Sequence, residues 1–595
     1  MKKKNFNQLI NWLKTGNLVD TLYIINALLL IQKECKGKMD QKGVISERYL
    51  KIGDEISEKH EGFQFFTEKV SSLEKESFFQ LCNNIQNIQE DEIQEAVFEI
   101  YDALKTNALY PRNLIHEELI NNTAFYNFIQ AAVDFSTISS VYDPAFGIGM
   151  GFVSILKKAH KKSLIFIGQE IDPLLWANMK NIMAIFDMPS EQIYLGDTLT
   201  TPSNVAEETI QQYDLVLVDP PQGLKIDSDV FAQDEFMRFK YGYTTKSDLA
   251  FLEHALASKK ETGLLIALIN LNSLKTKGKE KAIRKNILLD NNLTTVIQLE
   301  KTRGGLTPFT PCILIFGANQ KSEKINMMAY THQKNNRIQD LSEYYQTDEK
   351  KRDNSLWVMM EDIKNNDYSL TPSYYLDKER LKQANPMFLE LDLREKISIS
   401  MIADISSGIS GGIKTVSEKK TKKKPNNVFF LKSSDIDSNG QVVLDNAKAY
   451  WYGEEDKGVW RTLLSKNDLV FVTRGDTGKV GMVREIPQDA QVGAGMNMIK
   501  IHVIEGEYSP FFLFEIIRSE YGKHLIETAI HEAGLLKKIT LKELAEIKVP
   551  FLEKSEVKAF DEKYLKVLNE EEKLKQKFEA LKEKKQDIFK YILKR

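Results

Sequence analysis

ISSVYDPAFGIGMGF, residues 138–152, reads as a short β-strand that runs into a glycine-rich turn and then a helix. The strand closes at Val141-Tyr142, Asp143 stands at its carboxyl end, and Gly147, Gly149 and Gly151 fill the turn. Glycines suit such a turn because the backbone takes unusual dihedrals there and a bulky ligand must approach it closely. Alone, the turn leaves nucleotides, flavins and a purely structural bend open.

Working outward, LIFIGQEID, QIYLGDTL, YDLVLVDPP, GLLIALINL, TTVIQLE and CILIFGA are further short apolar runs, and helix-like stretches separate most of them. This alternation predicts an α/β fold, with a parallel, Rossmann-like sheet covered on both faces and a ligand beyond the carboxyl ends of its strands. The second strand ends in Glu170, about twenty residues after the turn, where an acid can bind both ribose hydroxyls of a nucleoside. The third ends in Gly196-Asp197, where a carboxylate can accept a hydrogen bond from an adenine amino group. No GxxxxGK[ST] phosphate cradle is present, so the pattern fits S-adenosylmethionine better than ATP.

The fourth strand leads into Asp219, Pro220, Pro221 and Gln222. An exocyclic adenine nitrogen is a poor nucleophile because its lone pair is spread into the ring. The Asp219 side chain and the Pro220 carbonyl can both accept hydrogen bonds from that amino group, favouring a more pyramidal nitrogen and stabilising charge as a methyl group transfers. The base must first leave the helix stack to reach them.

The remaining sequence sets the frame. A chain of 595 residues exceeds a single core. We read a helical N-terminal domain at 1–105, a catalytic domain at 106–320, a polar connecting region at 321–395, an α+β domain at 396–555, and a charged helix at 556–595. The helical domain is expected to pack on its neighbour or on a partner. No apolar run is long enough to span a bilayer, and the three cysteines form neither a disulfide framework nor a zinc spacing. The expectation is therefore a cytoplasmic protein with no membrane contact and no metal. The net charge of −3 leaves nucleic-acid binding open, provided that basic residues gather on one face.

Residues 106–318 resemble the modification subunits of type I restriction–modification systems and related adenine-N6 DNA methyltransferases. The resemblance rests, in order, on ALYPRNLIHEELI, DPAFGIGMGF, FIGQEIDPLLWANMKNIMAI, LGDTLT, VLVDPPQG, KSDLAFLEHALASKKETGLLIALI, IRKNIL and GLTPFTPCILIF. It implies an S-adenosylmethionine-dependent methyltransferase sheet acting on double-stranded DNA. Tyr110, Pro111 and the glycine turn would surround the methionine part of the cofactor, and Asp143 would approach its amino group. Glu170 would hold the ribose and Asp197 would read the adenine, while Asp219 to Gln222 would face the target base. The sequence departs from the family pattern in several places. Gln222 replaces the aromatic that stacks on the flipped base, Phe146, Ile148 and Met150 replace smaller residues, and Tyr110 stands where a threonine precedes the proline.

The span 396–552 is similar to a single target-recognition domain of type I specificity subunits, on ISMIADISSGISGG, FFLKSSDID, LLSKNDLVFVTRGDTGKVGMV and LLKKITLKELAEIKVPFL. Lys422, Lys423 and Lys424, with Arg474 and Lys479, are candidates for phosphate contacts; a solvated loop is the alternative for the lysine run. KTKGKEKAIRKN around Arg284 reads as a solvent-facing loop leading into a helix, with DNA contact as the other option. In the last segment Tyr564, Val567, Leu574, Phe578, Leu581, Ile588 and Ile592 follow an interrupted heptad, which either pairs two chains or lies back on its own domain.

Three functions follow. One is a site-specific adenine-N6 DNA methyltransferase in a restriction–modification or anti-phage system, with any nuclease or helicase supplied by a partner. Another is a catalytically weak or inactive methyltransferase-fold subunit that recognises DNA for a partner effector. An RNA or protein methyltransferase is a third, which the target-recognition resemblance disfavours.

Overall fold

The computed structural model describes residues 9–13, 17–34, 44–105, 123–159, 164–221, 223–300, 309–318, 322–330, 333–334, 337–338, 341, 345, 354–409, 428–444, 449–450, 457–486, 488, 490–533 and 536–593. The chain divides into two units, residues 1–376 and 377–595.

Among the described residues of the first unit, nine strands form the central sheet. They are β1 (Ser140–Asp143), β2 (Ile165–Glu170), β3 (Ile193–Leu195), β4 (Tyr213–Val218), β5 (Lys259–Asn270), β6 (Leu293–Gln298), β7 (Pro311–Phe316), β8 (Lys324–Ala329) and β9 (Ser355–Met359). Their order is β9-β8-β6-β7-β5-β4-β1-β2-β3. From β3 to β5 all neighbours are parallel, and the order reverses at β1, which pairs with β2 on one side and β4 on the other. That reversal is the switch point beyond whose strand ends ligands bind in open α/β sheets.

Two features correct the sequence reading. The sheet is mixed, because β7 runs antiparallel to both β5 and β6. KTRGGLTPFT, between the last two apolar runs, has no helical period to serve as a parallel crossover, in keeping with the antiparallel pairing of β6 and β7. Residues 324–329 and 355–359, placed in the connecting region, are strands: β8 pairs parallel with β6, and β9 antiparallel with β8.

Side chains alternate between two cores, as a sheet buried on both faces requires. On β4, Leu215 and Leu217 enter one core while Val216 and Val218 enter the other. The first core is continuous with helices α1 (Leu18–Glu34), α2 (Ile45–Ser57), α3 (Lys75–Ile85) and α4 (Ile93–Lys105), and with α5 (Thr123–Ala132), α6 (Met150–Ala159) and α7 (Pro173–Ile185). The N-terminal helices therefore pack on their neighbour within one unit. Asn26 of α1 donates to Asn178 of α7 at 2.8 Å, and Lys33 donates to the carbonyls of Ala184 and Ile185 at the end of α7. A lysine there adds a cationic donor to the negative end of the helix. The second core lies under α8 (Ser247–Ala257) and α9 (Lys279–Asp290).

In the second unit β10 (Ala403–Ser407), β13 (Leu469–Val472), β14 (Val480–Met482) and β16 (Met498–Val503) make a sheet in the order β10-β16-β13-β14. A second sheet has the order β12-β11-β15, from β11 (Val428–Phe430), β12 (Ala449–Tyr450) and β15 (Gln491–Gly493). Helices α10 (Pro510–Arg518) and α11 (Glu520–Ala529) share the first sheet's core, and α12 (Lys554–Leu593) closes the chain.

Candidate active site at the sheet switch point

Four adjacent parallel strands, in the order β3-β2-β1-β4, each deliver a carboxylate at or just beyond their carboxyl ends: Asp197, Glu170, Asp143 and Asp219. Hydrogen bonds tie these strand ends together. Gly147 in the turn after β1 donates its N–H to Oε2 of Glu170 at 2.8 Å, and Asp172 donates to Oε1 at 3.0 Å. Gly196 donates to the Glu170 carbonyl at 2.9 Å. Thr198 Oγ1 donates to the Pro144 carbonyl at 2.6 Å, joining the loop that carries Asp197 to the glycine turn.

The turn needs its glycines. Gly147 and Gly149 have φ of 55° and 83°, the left-handed region that favours glycine. A Cβ on Gly149 would also lie 2.7 Å from the Met179 sulfur. The bulky residues beside them face inward. Phe146, Ile148 and Met150 are buried in the core shared with the N-terminal helices, and the Ile148 carbonyl accepts a 2.5 Å hydrogen bond from Tyr101 of α4. Their size is thus used in packing against α4 and its neighbours.

Carboxyl groups are concentrated here. Burial, opposed by the Ala145 N–H and aided by the nearby Asp219 and Glu170 carboxylates, pushes the Asp143 carboxyl up to about 8. Burial also raises Glu170, although three backbone N–H groups act to lower it. A buried set of carboxylates favours a cationic ligand and opposes a polyphosphate. S-adenosylmethionine carries a sulfonium and an ammonium group and no phosphate, so the residues fit it. Glu170 can still serve a ribose while holding Gly147 and Asp172, because a carboxylate has about four acceptor sites. Among the described residues no cluster of His, Cys, Asp or Glu has metal-binding geometry.

Residues 123–384 match the N-6 DNA methylase family. The Mycoplasma pneumoniae type I restriction enzyme MpnII methylase subunit is 27% identical over 308 residues, 47% of this chain and 55% of the relative. The MjaVII methylase subunit of Methanocaldococcus jannaschii is 24% identical over 336 residues, 50% of this chain and 57% of the relative. The chain thus matches a little over half the length of each of these curated relatives. Among solved structures, the type I restriction–modification methyltransferase subunit from Streptococcus thermophilus aligns at TM-score 0.45 and 18% identity, over 58% of this chain and 78% of that one.

Within this methylase-like segment the structure adds two residues that sequence reasoning passed over. Tyr126 on α5 donates a 2.7 Å hydrogen bond to Oδ2 of Asp219. Arg238 lies in the stretch between Asp219-Pro220-Pro221 and α8. Its guanidinium pairs with Asp234 at 2.6 Å and donates to the carbonyls of Thr198 and Leu199, each at 2.9 Å, just past Asp197. Its Nη1 also meets His254 Nδ1 at 3.3 Å, and His254 Nε2 meets the Tyr142 hydroxyl at 2.8 Å. Burial and Arg238 hold His254 well below the usual histidine range, so the ring is neutral, accepts from Arg238 at Nδ1 and donates to Tyr142 from Nε2. One buried arginine therefore links the Asp197 loop to the segment beyond Asp219.

Pro220 is buried, whereas Pro221 is exposed and its carbonyl accepts from Ser247 at the start of α8 at 2.9 Å. Tyr110, Pro111 and Gln222 lie outside the described residues, as do Lys422, Lys423 and Lys424. In the second unit Arg474 is exposed in the turn between β13 and β14, which Gly475 and Gly478 shape with φ of 85° and 94°. Lys479 is half-buried and its Nζ donates to the Ser433 carbonyl at 2.9 Å, so it braces that turn from inside. The segment around Arg284 runs, as expected, from an exposed loop at Lys277-Gly278 into α9; within it Arg284 itself is buried and donates to the carbonyls of Tyr368 and Ser273. The apolar positions of its helix draw it against the second core.

Proposed function

We propose that the chain is a site-specific DNA adenine-N6 methyltransferase that uses S-adenosylmethionine, acting in the cytoplasm as part of a restriction–modification or anti-phage system. The observation that carries the reading is the set of strand-end carboxylates at the switch point, inside a segment that matches the N-6 DNA methylase family. In this reading Glu170 holds the ribose, Asp197 reads the cofactor's adenine, and Asp143 faces its ammonium group. Tyr110, Pro111, Gly147 and Gly149 line the methionine part. Bound there, the cofactor supplies an electrophilic methyl group. Asp219 and the Pro220 carbonyl accept hydrogen bonds from the target amino group and hold its lone pair toward that methyl. The methyl group would pass to the amino nitrogen, the sulfur keeping the electron pair of the broken carbon–sulfur bond, and the amino proton would go to water. Double-stranded DNA is recognised by residues 396–555, with Lys422, Lys423, Lys424 and Arg474 as phosphate contacts. Any nuclease or helicase is a separate partner.

Calorimetric titration of the purified chain with S-adenosylmethionine tests the cofactor half. Binding that Glu170→Ala removes supports the assignment, and no binding by the wild type overturns it.

Gln222 favours a second reading, in which the domain is catalytically weak and serves DNA recognition for a partner effector. Stacking of a base on an aromatic is worth roughly 1–3 kcal/mol. A gain of about five- to 150-fold in methyl transfer by Gln222→Phe would identify a weakened enzyme, whereas no methyl transfer by either form would favour the recognition subunit.

A further inference from the structure

We propose that Tyr126 is a positioning residue for methyl transfer, its hydroxyl fixing the Asp219 carboxylate in the orientation that receives the target amino group. The inference rests on the functional reading above and concerns a residue outside the strand-end motifs. Tyr126 and Asp219 are 93 positions apart in sequence and meet because α5 packs into the core that Leu215 and Leu217 of β4 also enter; the tyrosine oxygen lies 2.7 Å from Oδ2. Gly151 shows where the ring sits. A Cβ built there would lie 3.4 Å from Oδ2 of Asp143 and 3.9 Å from Cε1 of Tyr126, so the tyrosine borders the glycine turn as well as Asp219. It therefore stands between the carboxylate assigned to the cofactor and the one assigned to the target base.

The chemistry of the pair is directional. Burial, then the Asp219 and Asp143 charges, hold the Tyr126 hydroxyl well above the usual phenol range, so it stays protonated and acts as a donor throughout the working pH range. A neutral donor to one carboxylate oxygen favours the charged form of that carboxylate and restricts its rotation. Asp219 must remain an acceptor and be held in place if it is to orient an amino group, and misplacement of about 1 Å at a reacting centre costs on the order of a hundredfold. Tyr126 is almost fully buried and its ring packs edge-on to Phe125, with centroids 5.3 Å apart, so its own position is set by the core.

Tyr126→Phe removes a single oxygen. In assays with radiolabelled S-adenosylmethionine and unmodified bacterial genomic DNA, we expect kcat to fall at least about tenfold. KM for DNA and the calorimetric Kd for S-adenosylmethionine should stay within about twofold. Phe128→Leu, a change at a fully buried position of the same helix, serves as the packing control and should lower Tm without that loss of kcat. Wild-type kcat in Tyr126→Phe, or a loss accounted for by KM or Kd alone, overturns the proposal while leaving the functional reading intact. Absence of methyl transfer by the wild-type chain overturns the functional reading and this proposal with it.

Discussion

The N–H of Gly147 donates to Oε2 of Glu170 across 2.8 Å, so the acid assigned to the ribose also fastens the glycine turn. Removing the carboxylate should therefore affect two parts of the cofactor site together. We predict that Glu170→Ala weakens S-adenosylmethionine binding at least about tenfold, since a hydrogen bond to a charged group contributes roughly 1.5–3 kcal/mol. Titration calorimetry measures the loss, and an affinity within twofold of wild type would contradict the placement.

Asp143 makes a pH prediction whose sign is fixed by its environment. Its folded value, about 8, lies above the ordinary 3.8, so the folded chain binds more protons than the unfolded one between those limits. This carboxyl's contribution to stability is complete below about pH 4 and is lost as pH rises through about 8. Tm profiles of the wild type should therefore carry a downward component between pH 5 and 8 that Asp143→Asn flattens. Parallel profiles for the two proteins would show that the group is not buried as described.

Arg238 carries a structural prediction with a functional consequence. The Arg238 and Asp234 side chains are 1% and 3% exposed, and the guanidinium also serves the Thr198 and Leu199 carbonyls. Arg238→Met leaves the buried Asp234 carboxylate without its cationic partner, a change that costs roughly 3–5 kcal/mol. Chemical denaturation should show that loss. Adding Asp234→Asn should recover part of it by removing the uncompensated charge, and strictly additive effects would rule out the coupling.

The last helix, α12, is 40 residues long, or about 60 Å. Tyr564 and Leu568 pack into their own domain, but every described side chain from Glu571 to Tyr591 is exposed, including Leu574, Phe578, Leu581 and Ile588. Within the chain this stretch does not lie back on its domain, and we propose that it pairs with a second copy. Sedimentation should show a dimer that Leu574→Glu with Phe578→Glu converts to monomer at unchanged Tm. A monomeric wild type would discard the proposal.

The strand-end acids were legible in the sequence because each sits where an apolar run meets a turn, and such boundaries leave local marks such as Gly147, Gly196 and Pro220. The sheet direction was less legible. KINMMA is apolar but flanked by polar residues, and nothing local says that β7 inserts between β5 and β6. Tyr126 and Arg238 left no sequence signal, since their roles depend on partners 93 and about 40 positions away. The same holds for Phe146 and Ile148. As letters they look like departures from a glycine turn; in the fold they are core residues facing the N-terminal helices.

The most direct test of the central claim is nucleoside mass spectrometry. Genomic DNA from a bacterium lacking adenine methylation would be incubated with the purified chain and S-adenosylmethionine, digested and assayed for N6-methyldeoxyadenosine. We predict that this nucleoside accumulates with the wild type and falls to background with Asp219→Ala. No product above the cofactor-free control, or equal product with Asp219→Ala, would contradict the account.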